Sequence, residues 1–352
     1  MAHVVPGVEE LAWEEIAERL PGARKVAVWP RVDRRAGVLL FRAAASASSM
    51  LELRLLEDLF AVVAIERRLS TQRAGLAQIG RIASEAVHLE EALGLFREAT
   101  SGSPKRPRSF RVVARRTGRH TFRRLDAQRA CEDGLKKRLR RWRLQEEGAA
   151  FEFWLQVIGQ VAIIALRLSF EAMRQRTYRS VSLPAALKPT VAQALVRLAR
   201  PPEGGLLIDP MCGGGTVLAE AAGLGLRTLG GDNAADALEA ARLNLRSVGV
   251  SAVLVRWDAQ RLPIARGAAA GVACNLPWGR RHAVADLSQL YRGVLRESHR
   301  IVRGSGRIAL LTSEHRLLER LVRRQRGLEV ERRLQLVVRG MDAWLFVLRR
   351  VS

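Results

Sequence analysis

The stretch from Gly271 to Arg281 carries residue types that could hold a planar base. It reads G-V-A-C-N-L-P-W-G-R-R, so the small apolar residues of a buried strand precede an amide, a proline and an aromatic ring. Asn275 offers a side-chain oxygen, Pro277 favours an extended Leu276 with its carbonyl exposed, and Trp278 offers a flat indole. Two oxygen acceptors beside a stacking surface suit a heterocycle with an exocyclic amino group. An ordinary turn after a strand fits this short pattern equally well, so residues upstream must decide.

Three strand ends upstream each place an aspartate beside small residues. The first is D-P-M-C-G-G-G-T, which starts at Asp209, the second is G-G-D-N with Asp232, and the third is W-D-A with Asp258. The glycines let the backbone approach a ligand, but the spacing is neither that of a phosphate loop nor G-x-G-x-x-G. Asp209 could accept from an ammonium group, Asp232 from ribose hydroxyls and Asp258 from an adenine amine. The pattern favours a nucleoside with a cationic amino-acid head over a pyrophosphate.

The elements that must position these residues alternate between strand and helix. We predict strands at residues 206–209, 228–232, 253–257, 272–274 and 307–311, then two strands at 330–338 and 344–348. The predicted helices of this part are at 216–224, 234–247, 287–302 and 314–324. Repeated β-α units predict a doubly wound parallel sheet, and the last two strands, with no helix between them, should form an antiparallel edge. Upstream of residue 170, mixed helices and strands predict a separate α+β region.

The charge of the chain indicates a polyanionic partner. It has 59 lysines and arginines against 35 acidic residues, a net charge of +24 over 352 residues, which does not suit an enzyme of neutral metabolites. Residues 101–150 hold 16 of the basic and 5 of the acidic residues. We predict that this region binds RNA phosphates, the alternative being a merely solvated face. The candidate RNA-binding residues are Arg115, Arg116, Arg119, Lys136, Lys137, Arg140 and Arg141.

Cysteine usage and hydropathy restrict the compartment. The three cysteines, Cys131, Cys212 and Cys274, have neither metal spacing nor a pairing pattern, which predicts a reducing compartment and no metal. The most apolar run, residues 154–168, is too short to span a bilayer and is interrupted by polar side chains. No secretory signal is visible at the start of the chain. We expect a cytoplasmic protein with no membrane partner.

Residues 190–350 resemble a class I S-adenosylmethionine-dependent methyltransferase. The N-L-P-W-G element is similar to the (D/N)-x-P-(Y/F/W) signature of amino-methylating enzymes, and especially to the N-L-P-Y-G form of THUMP-domain RNA guanine-N2 methyltransferases of the TrmN-like group. Trp278 departs from the more usual Tyr or Phe. The segments P-G-V-E-E-L, R-V-V-A-R-R-T-G-R-H-T-F-R-R, R-T-Y-R and L-P-A-A-L-K-P-T resemble the ferredoxin-like and THUMP parts of that family.

This resemblance implies a domain plan and a set of site residues. The domains are a ferredoxin-like region at 1–70, a THUMP-like RNA-binding domain at 71–170, a linker at 171–189 and a Rossmann-like methyltransferase domain at 190–352. The implied catalytic residues are Asn275, Leu276, Pro277 and Trp278. The implied cofactor-binding residues are Asp209, Pro210, Cys212, Gly213, Gly215, Thr216, Asp232, Asn233, Asp258, Ala259 and Asn275.

The resemblance also implies a reaction. A monomeric enzyme would transfer a methyl group from S-adenosylmethionine to the N2 amine of a guanosine in the acceptor-stem region of tRNA, giving N2-methylguanosine and S-adenosylhomocysteine without a metal. The sequence leaves open the same chemistry on rRNA or on another amino-bearing base. It also leaves open a non-catalytic RNA-binding protein or chaperone. His282 follows the motif closely, but surface or phosphate contact suits it better than catalysis.

Overall fold

A computed structural model of the chain describes residues 1–100, 108–169, 173, 176, 181, 183, 186–278 and 286–351. The chain folds into two compact units, the first comprising Met1–Val4 and Ala12–Met173 and the second Val5–Leu11 and Arg174–Ser352. In the described ranges, no helix is long and apolar enough to cross a membrane. The domain limits drawn from the sequence stay predictions. Residues 177–179 of R-T-Y-R and His282 lie outside the described residues.

The first unit is built on an eight-stranded sheet. Its strands are β1 (Ala2–Val4), β2 (Arg24–Asp33), β3 (Ala36–Arg42), β4 (Leu56–Glu66), β5 (Ser109–Thr117), β6 (Arg143–Leu144), β7 (Phe151–Ile158) and β8 (Val161–Arg167). Its helices are α1 (Glu9–Arg19, most of which belongs to this unit), α2 (Ala47–Leu51), α3 (Ala74–Glu85), α4 (Leu89–Ala99) and α5 (Arg124–Arg138). The strand order is β2-β3-β1-β4-β8-β7-β5-β6. Among the strands that the structure describes in this sheet, the pairs β5–β6 and β5–β7 are parallel, and the other adjacent pairs are antiparallel.

Two helices of this unit differ from the sequence prediction. The apolar periodicity of residues 76–99 predicts one helix, but the structure has two, α3 and α4. The break is at Ala86, whose φ of 42° is left-handed. The helix predicted over residues 126–143 ends at Arg138, so Leu139 and Trp142 follow it in a turn. Cys131 and Leu135 are buried on its inner face, as their spacing predicts.

The second unit is a seven-stranded sheet flanked by helices. Its strands are β9 (Leu206–Asp209), β10 (Arg227–Asp232), β11 (Val253–Arg256), β12 (Ala269–Asn275), β13 (Val302–Thr312), β14 (Leu328–Val338) and β15 (Met341–Arg350). Its helices are α6 (Pro189–Ala199), α7 (Thr216–Ala222), α8 (Ala235–Arg246), α9 (Leu287–Ile301) and α10 (His315–Arg324). The order is β11-β10-β9-β12-β13-β15-β14. The first five strands are mutually parallel, and β15 is antiparallel to both β13 and β14.

This arrangement is the Rossmann-like doubly wound sheet predicted from the sequence, with its antiparallel edge. Burial explains why these segments form strands: Val272 and Cys274 on β12 and Ile308 and Leu310 on β13 belong to one apolar core. A parallel strand covered on both faces needs continuous apolar residues. Because the chain reverses order at β9 and β12, their carboxyl ends flank a crevice, the usual ligand position in such sheets.

Helices α3 and α5 approach closely, which gives a test of the packing in the first unit. A Cβ at Gly134 would lie 2.4 Å from the carbonyl oxygen of Gly80 and 2.5 Å from the Cβ of Ala83. We expect Gly134→Ala to lower the free energy of unfolding by about 1–3 kcal/mol, because the helices must separate. The measurement is urea unfolding followed by circular dichroism.

The matched control is Gly94→Ala on α4, where an added Cβ meets no heavy atom within 4 Å. This substitution should be neutral or stabilise by up to about 1 kcal/mol, because alanine favours a helix. Equal effects of the two substitutions would show that the close packing at Gly134 is not what limits stability.

Candidate active site

A cleft of about 1060 Å³ opens at the carboxyl ends of the parallel strands in the second unit. Ten of the eleven predicted cofactor-binding residues line it, and Gly215 is the exception. Gly215 has a φ of 79° and precedes the first residue of α7. Its Cβ would lie 3.2 Å from the Cβ of Ala241. Gly215 therefore shapes the turn from β9 into α7 without facing the cleft.

The carboxylate of Asp232 connects the two strands at the centre of the cleft. Its Oδ2 accepts a hydrogen bond from the backbone N–H of Gly213 at 3.0 Å, and its Oδ1 accepts from Ala234 N–H at 3.1 Å. Asp232 also lines the cleft and is partly exposed, so its oxygens can accept further bonds from ligand hydroxyls.

An indole on the third strand end fixes the glycine turn from the other side. Trp257 Nε1 donates to the carbonyl of Pro210 at 2.9 Å. A Cβ at Gly231 would lie 2.3 Å from the Trp257 ring, so only glycine allows the indole to lie against β10. The next residue, Asp258, is exposed in the cleft, and its Oδ1 accepts from Gln260 N–H at 2.9 Å.

Asp209 lies at the floor of the cleft and is only 1% exposed. Its Oδ1 accepts from Met211 N–H at 3.1 Å, and the Cys274 thiol also hydrogen-bonds to this carboxyl. Burial raises the pKa of Asp209 to about 7, and the charge of Asp232 acts in the same direction. Burial also raises the pKa of the Cys274 thiol well above its ordinary value. Cys274 is therefore a protonated donor at neutral pH and unsuited to act as a nucleophile.

Asn275 ends β12 with an acceptor that has no partner. Its Oδ1 is buried, and within the described part of the chain nothing donates to it. Asn275 lines the cleft and pairs in register with Leu311 of β13. The next N–H, that of Leu276, donates to the Leu311 carbonyl at 2.9 Å. An unpaired buried acceptor costs about 1–3 kcal/mol, so its retention here favours a ligand N–H as the missing partner.

Trp278, which the sequence predicts to present a stacking surface, is buried in this structure. Its side chain is 9% exposed and does not line the cleft, and Leu276 does not line it either. Pro277 does line it. The physical reason is that the large apolar area of an indole favours burial after a turn. The Nε1 of Trp278 is a buried donor without a partner among the residues described.

Tyr291 supports the motif from α9 and was not among the predicted site residues. Its side chain is fully buried, and its hydroxyl donates to the Pro277 carbonyl at 2.7 Å. The same hydroxyl lies 2.7 Å from Thr312 Oγ1. Burial raises the pKa of Tyr291, so the hydroxyl keeps its proton at neutral pH. The sequence offers one signal that could have identified Tyr291, namely that tyrosine is rare, with 2 in the chain.

Part of the predicted linker forms a wall of the cleft, another feature that the sequence did not indicate. Leu183 and Leu187 are among its lining residues. Asn244 on α8 accepts from Val181 N–H at 2.9 Å and donates to its carbonyl at 3.0 Å. It also donates to the Gly214 carbonyl at 2.9 Å. One amide therefore joins the linker to the glycine turn.

The predicted RNA-binding residues of the first unit separate into two groups. Three make contacts with their neighbours: the Arg115 guanidinium lies 4.8 Å from the centre of the Trp154 ring. Arg116 donates to Gly118 O at 3.0 Å, and Lys136 pairs with Asp133 at 3.3 Å. The other four are exposed, namely Arg119, Lys137, Arg140 and Arg141.

Lys137, Arg140 and Arg141 line a cavity of about 710 Å³ in the first unit. Trp142 and Phe151 also line it, with their ring centres 4.3 Å apart. Cationic side chains around aromatic rings suit a nucleic-acid segment, because the cations bind phosphates and the rings stack on bases.

Comparisons with known proteins agree with this geometry. Residues 176–341 match the UPF0020 family, described as an RMKL-like methyltransferase domain. The chain is 30% identical over 328 residues to the tRNA (guanine(6)-N2)-methyltransferase of Thermus thermophilus, an alignment that covers 90% of this chain and 89% of that protein. The crystal structure of TrmN from Thermus thermophilus superimposes with a TM-score of 0.78 at 27% identity, over 99% of this chain and 98% of that one.

A mammalian relative is also similar. The chain is 26% identical over 265 residues to the tRNA (guanine(6)-N(2))-methyltransferase THUMP3 of Mus musculus, which is 69% of this chain and 52% of that protein. The aligned part thus spans about half the length of the mouse protein.

The raised pKa of Asp209 predicts a pH-dependent stability. Between the ordinary Asp pKa near 4 and about 7, the folded protein holds a proton on Asp209 that the unfolded chain releases. Stability should therefore fall as pH rises through this window. Relative to Asp209→Asn, we expect the wild type to lose on the order of 3 kcal/mol of unfolding free energy between pH 4 and pH 7.5.

Urea unfolding at several pH values measures this difference. Asp236→Asn, which removes an exposed carboxylate from the same cleft, is the control. Parallel curves for the wild type and Asp209→Asn would contradict the prediction.

Proposed function

This chain belongs to the family of tRNA guanine-N2 methyltransferases, and we propose that it transfers the methyl group of S-adenosylmethionine to the N2 amine of guanosine 6 in tRNA. The position is that of the activities of two relatives, one of them aligned over 89% of its length. Guanosine 6 lies in the acceptor stem, the region expected from the sequence.

The single observation that carries this proposal is the unpaired, buried Oδ1 of Asn275 at the edge of the cleft. The N2 amine of guanine is a weak nucleophile because its lone pair is delocalised into the ring. We infer that Asn275 Oδ1 accepts a hydrogen bond from one amine N–H and the Leu276 carbonyl from the other, which withdraws the lone pair from conjugation and directs it toward the methyl group. Passage of the methyl group from the donor sulfur to the amine nitrogen leaves the thioether product and one excess proton on the nitrogen. That proton passes to water in the open cleft, and the remaining N–H stays bonded to the motif. Fixed dipoles supply most of the rate enhancement.

The residues of the cleft fit the proposed methyl donor. Asp209 accepts from its ammonium group, Asp232 from the ribose hydroxyls and Asp258 from the adenine amine, and the glycine turn lets the backbone approach. When bound, S-adenosylmethionine supplies an electrophilic methyl group on a sulfonium, so the chemistry needs neither a metal nor a strong base. The unpaired acceptor Asn275 and the exposed Asp258 are the observations that support this fit.

The target guanosine is paired in an acceptor stem and must leave the helix to reach Asn275. Because Trp278 is buried, its proposed stacking role requires the indole to become accessible when RNA binds. Asn275 already lines the cleft, so its proposed role needs no such change. The cavity with Lys137, Arg140 and Arg141 is the proposed RNA-binding surface of the THUMP-like region. A cytoplasmic location and a monomeric state belong to the same proposal.

Replacement of the unpaired acceptor tests the reaction. Asn275→Ala should reduce methyl transfer by about 100-fold or more, because one of two proton acceptors is lost, while donor binding stays within about threefold. Gln289→Ala on α9, which removes an exposed amide that lines the same cleft and has no proposed role, is the control. Turnover is measured with radiolabelled donor on unmodified tRNA transcripts, and donor affinity by isothermal titration.

Mass-spectrometric nucleoside analysis of the product completes this test. N2-methylguanosine at position 6 supports the proposal, and methylation of rRNA alone contradicts its substrate. Full activity of Asn275→Ala would remove Asn275 from the mechanism. Absence of donor binding to the wild type would favour a non-catalytic RNA-binding protein.

The basic cavity makes a separate prediction. Replacing Lys137, Arg140 and Arg141 by Gln should weaken tRNA binding. It should also flatten the slope of log Kd against log salt concentration by about 2 to 3, close to one for each lost phosphate contact. Fluorescence anisotropy with labelled tRNA between 50 and roughly 300 mM salt gives the slope.

The control variant removes three charges elsewhere in the first unit, at the exposed residues Arg67, Arg68 and Arg73. Its slope should change by less than about 1. Equal slopes for the two triple variants would show that net charge, rather than this cavity, determines RNA affinity.

A further inference from the structure

A chain of three hydrogen bonds runs from β13 through α9 to the catalytic motif. The N–H of Glu314 lies 2.8 Å from Thr312 Oγ1, which lies 2.7 Å from the Tyr291 hydroxyl. That hydroxyl lies 2.7 Å from the Pro277 carbonyl oxygen. The side chains of Tyr291 and Thr312 are both fully buried. No water can therefore replace either hydroxyl without a rearrangement of the core.

Proton counting fixes the direction of this chain. The Pro277 carbonyl can only accept, so the single proton of Tyr291 points to it. The Tyr291 oxygen must then accept the proton of Thr312, and Thr312 Oγ1 accepts from the Glu314 N–H. Each hydroxyl both donates and accepts once, so every group is satisfied. Aligned hydroxyls polarise one another, which strengthens the last bond to the motif.

These hydrogen bonds hold one of the two ends of the Leu276–Pro277 segment, and a backbone hydrogen bond holds the other. On one side, Leu276 N–H donates to Leu311 O at 2.9 Å. On the other side, the Pro277 carbonyl is bonded to Tyr291. The proline ring fixes φ between these anchors. With both ends bonded, the Leu276 carbonyl has little freedom to rotate, and the same constraint reaches the backbone of Asn275.

We propose that Tyr291 is a positioning residue for methyl transfer, which acts through the Pro277 carbonyl to hold the two acceptors of the motif in place. The proposal rests on the function proposed above, since the acceptors are those that bind the guanine amine. Tyr291 itself does not line the cleft and contacts neither donor nor base. Its contribution is geometric, and a displacement of about 1 Å at a reacting centre can cost on the order of 100-fold in rate.

The test compares variants that remove single hydroxyls from the core. Tyr291→Phe keeps the ring and removes the donor to Pro277, and Thr312→Val removes the next member of the chain. Thr312→Ser keeps the hydroxyl and is the conservative rescue. Ser298→Ala is the matched control, because Ser298 is fully buried on the same helix and its hydroxyl has no partner in the described part of the chain.

The first readout is single-turnover transfer to tRNA, well below the melting temperature of every variant. Tyr291→Phe should lower the rate at saturation by about 10- to 100-fold while the donor Kd and RNA Kd stay within about twofold. Thr312→Val should also lower the rate at saturation. Because both hydroxyls act through the same bond, the rate of the double variant should be within about threefold of the Tyr291→Phe rate. Thr312→Ser and Ser298→Ala should retain the wild-type rate. A Tyr291→Phe rate within twofold of the wild type overturns the proposal, as does an equal loss of rate in Ser298→Ala.

The second readout does not depend on activity. Hydrogen exchange measured by mass spectrometry on a peptide that contains Leu276 should be about tenfold faster in Tyr291→Phe than in the wild type, and unchanged in Ser298→Ala. Unchanged exchange in Tyr291→Phe overturns the anchoring role even if the wild type proves to act on another RNA. A wild type that transfers no methyl group to any RNA contradicts the proposed function and with it the catalytic part of this inference, while exchange still reports on the anchor.

Discussion

The candidate site depends on the carboxylate of Asp232, which holds the ends of two neighbouring strands in one arrangement. Its oxygens accept from Gly213 N–H in the turn after β9 and from Ala234 N–H just beyond β10. The glycine turn cannot move away from β10 without leaving the Gly213 N–H and one oxygen of the Asp232 carboxylate unpaired. The same bonds keep a negative charge near Asp209 and so contribute to its raised pKa. Backbone position and electrostatics at the donor site thus have a common origin.

The charge of the cleft is opposite to that of the protein as a whole. Five aspartates line it, and no described lining residue is basic, although the chain carries a net charge of +24. An acidic cleft attracts a cationic sulfonium with an ammonium group and repels RNA phosphates. Affinity for RNA must therefore come from basic surfaces outside the cleft, and only an uncharged base has to approach Asn275. Because the acidic and basic surfaces are separate, one enzyme can bind a cation and a polyanion without either ligand occupying the site of the other.

Local patterns predicted the fold and most of the cleft, because in a parallel sheet the strand ends share one edge and short motifs mark those ends. Asp209 and the other acidic strand ends are therefore readable from sequence. Features that depend on distant partners cannot be predicted from local patterns. Tyr291 bonds to a carbonyl 14 residues away, and Asn244 bonds to a residue 63 positions away. Ala86 adopts a left-handed φ, a conformation that a sequence usually signals with glycine. The burial of Trp278 depends on the volume that other elements leave around it.

The amide of Asn244 makes the segment before α6 part of the cleft rather than a mere tether. Val181 is held to the glycine turn, and Leu183 and Leu187 complete the wall of the cleft. Arg176, further upstream, pairs with the fully buried Glu220 on α7 at 3.4 Å. A fragment cut at Pro189 would keep every strand of the sheet and still lose this wall. A fragment that contains the second sheet should therefore begin upstream of Arg176. The junction of any chimera that replaces the first unit should also lie upstream of Arg176.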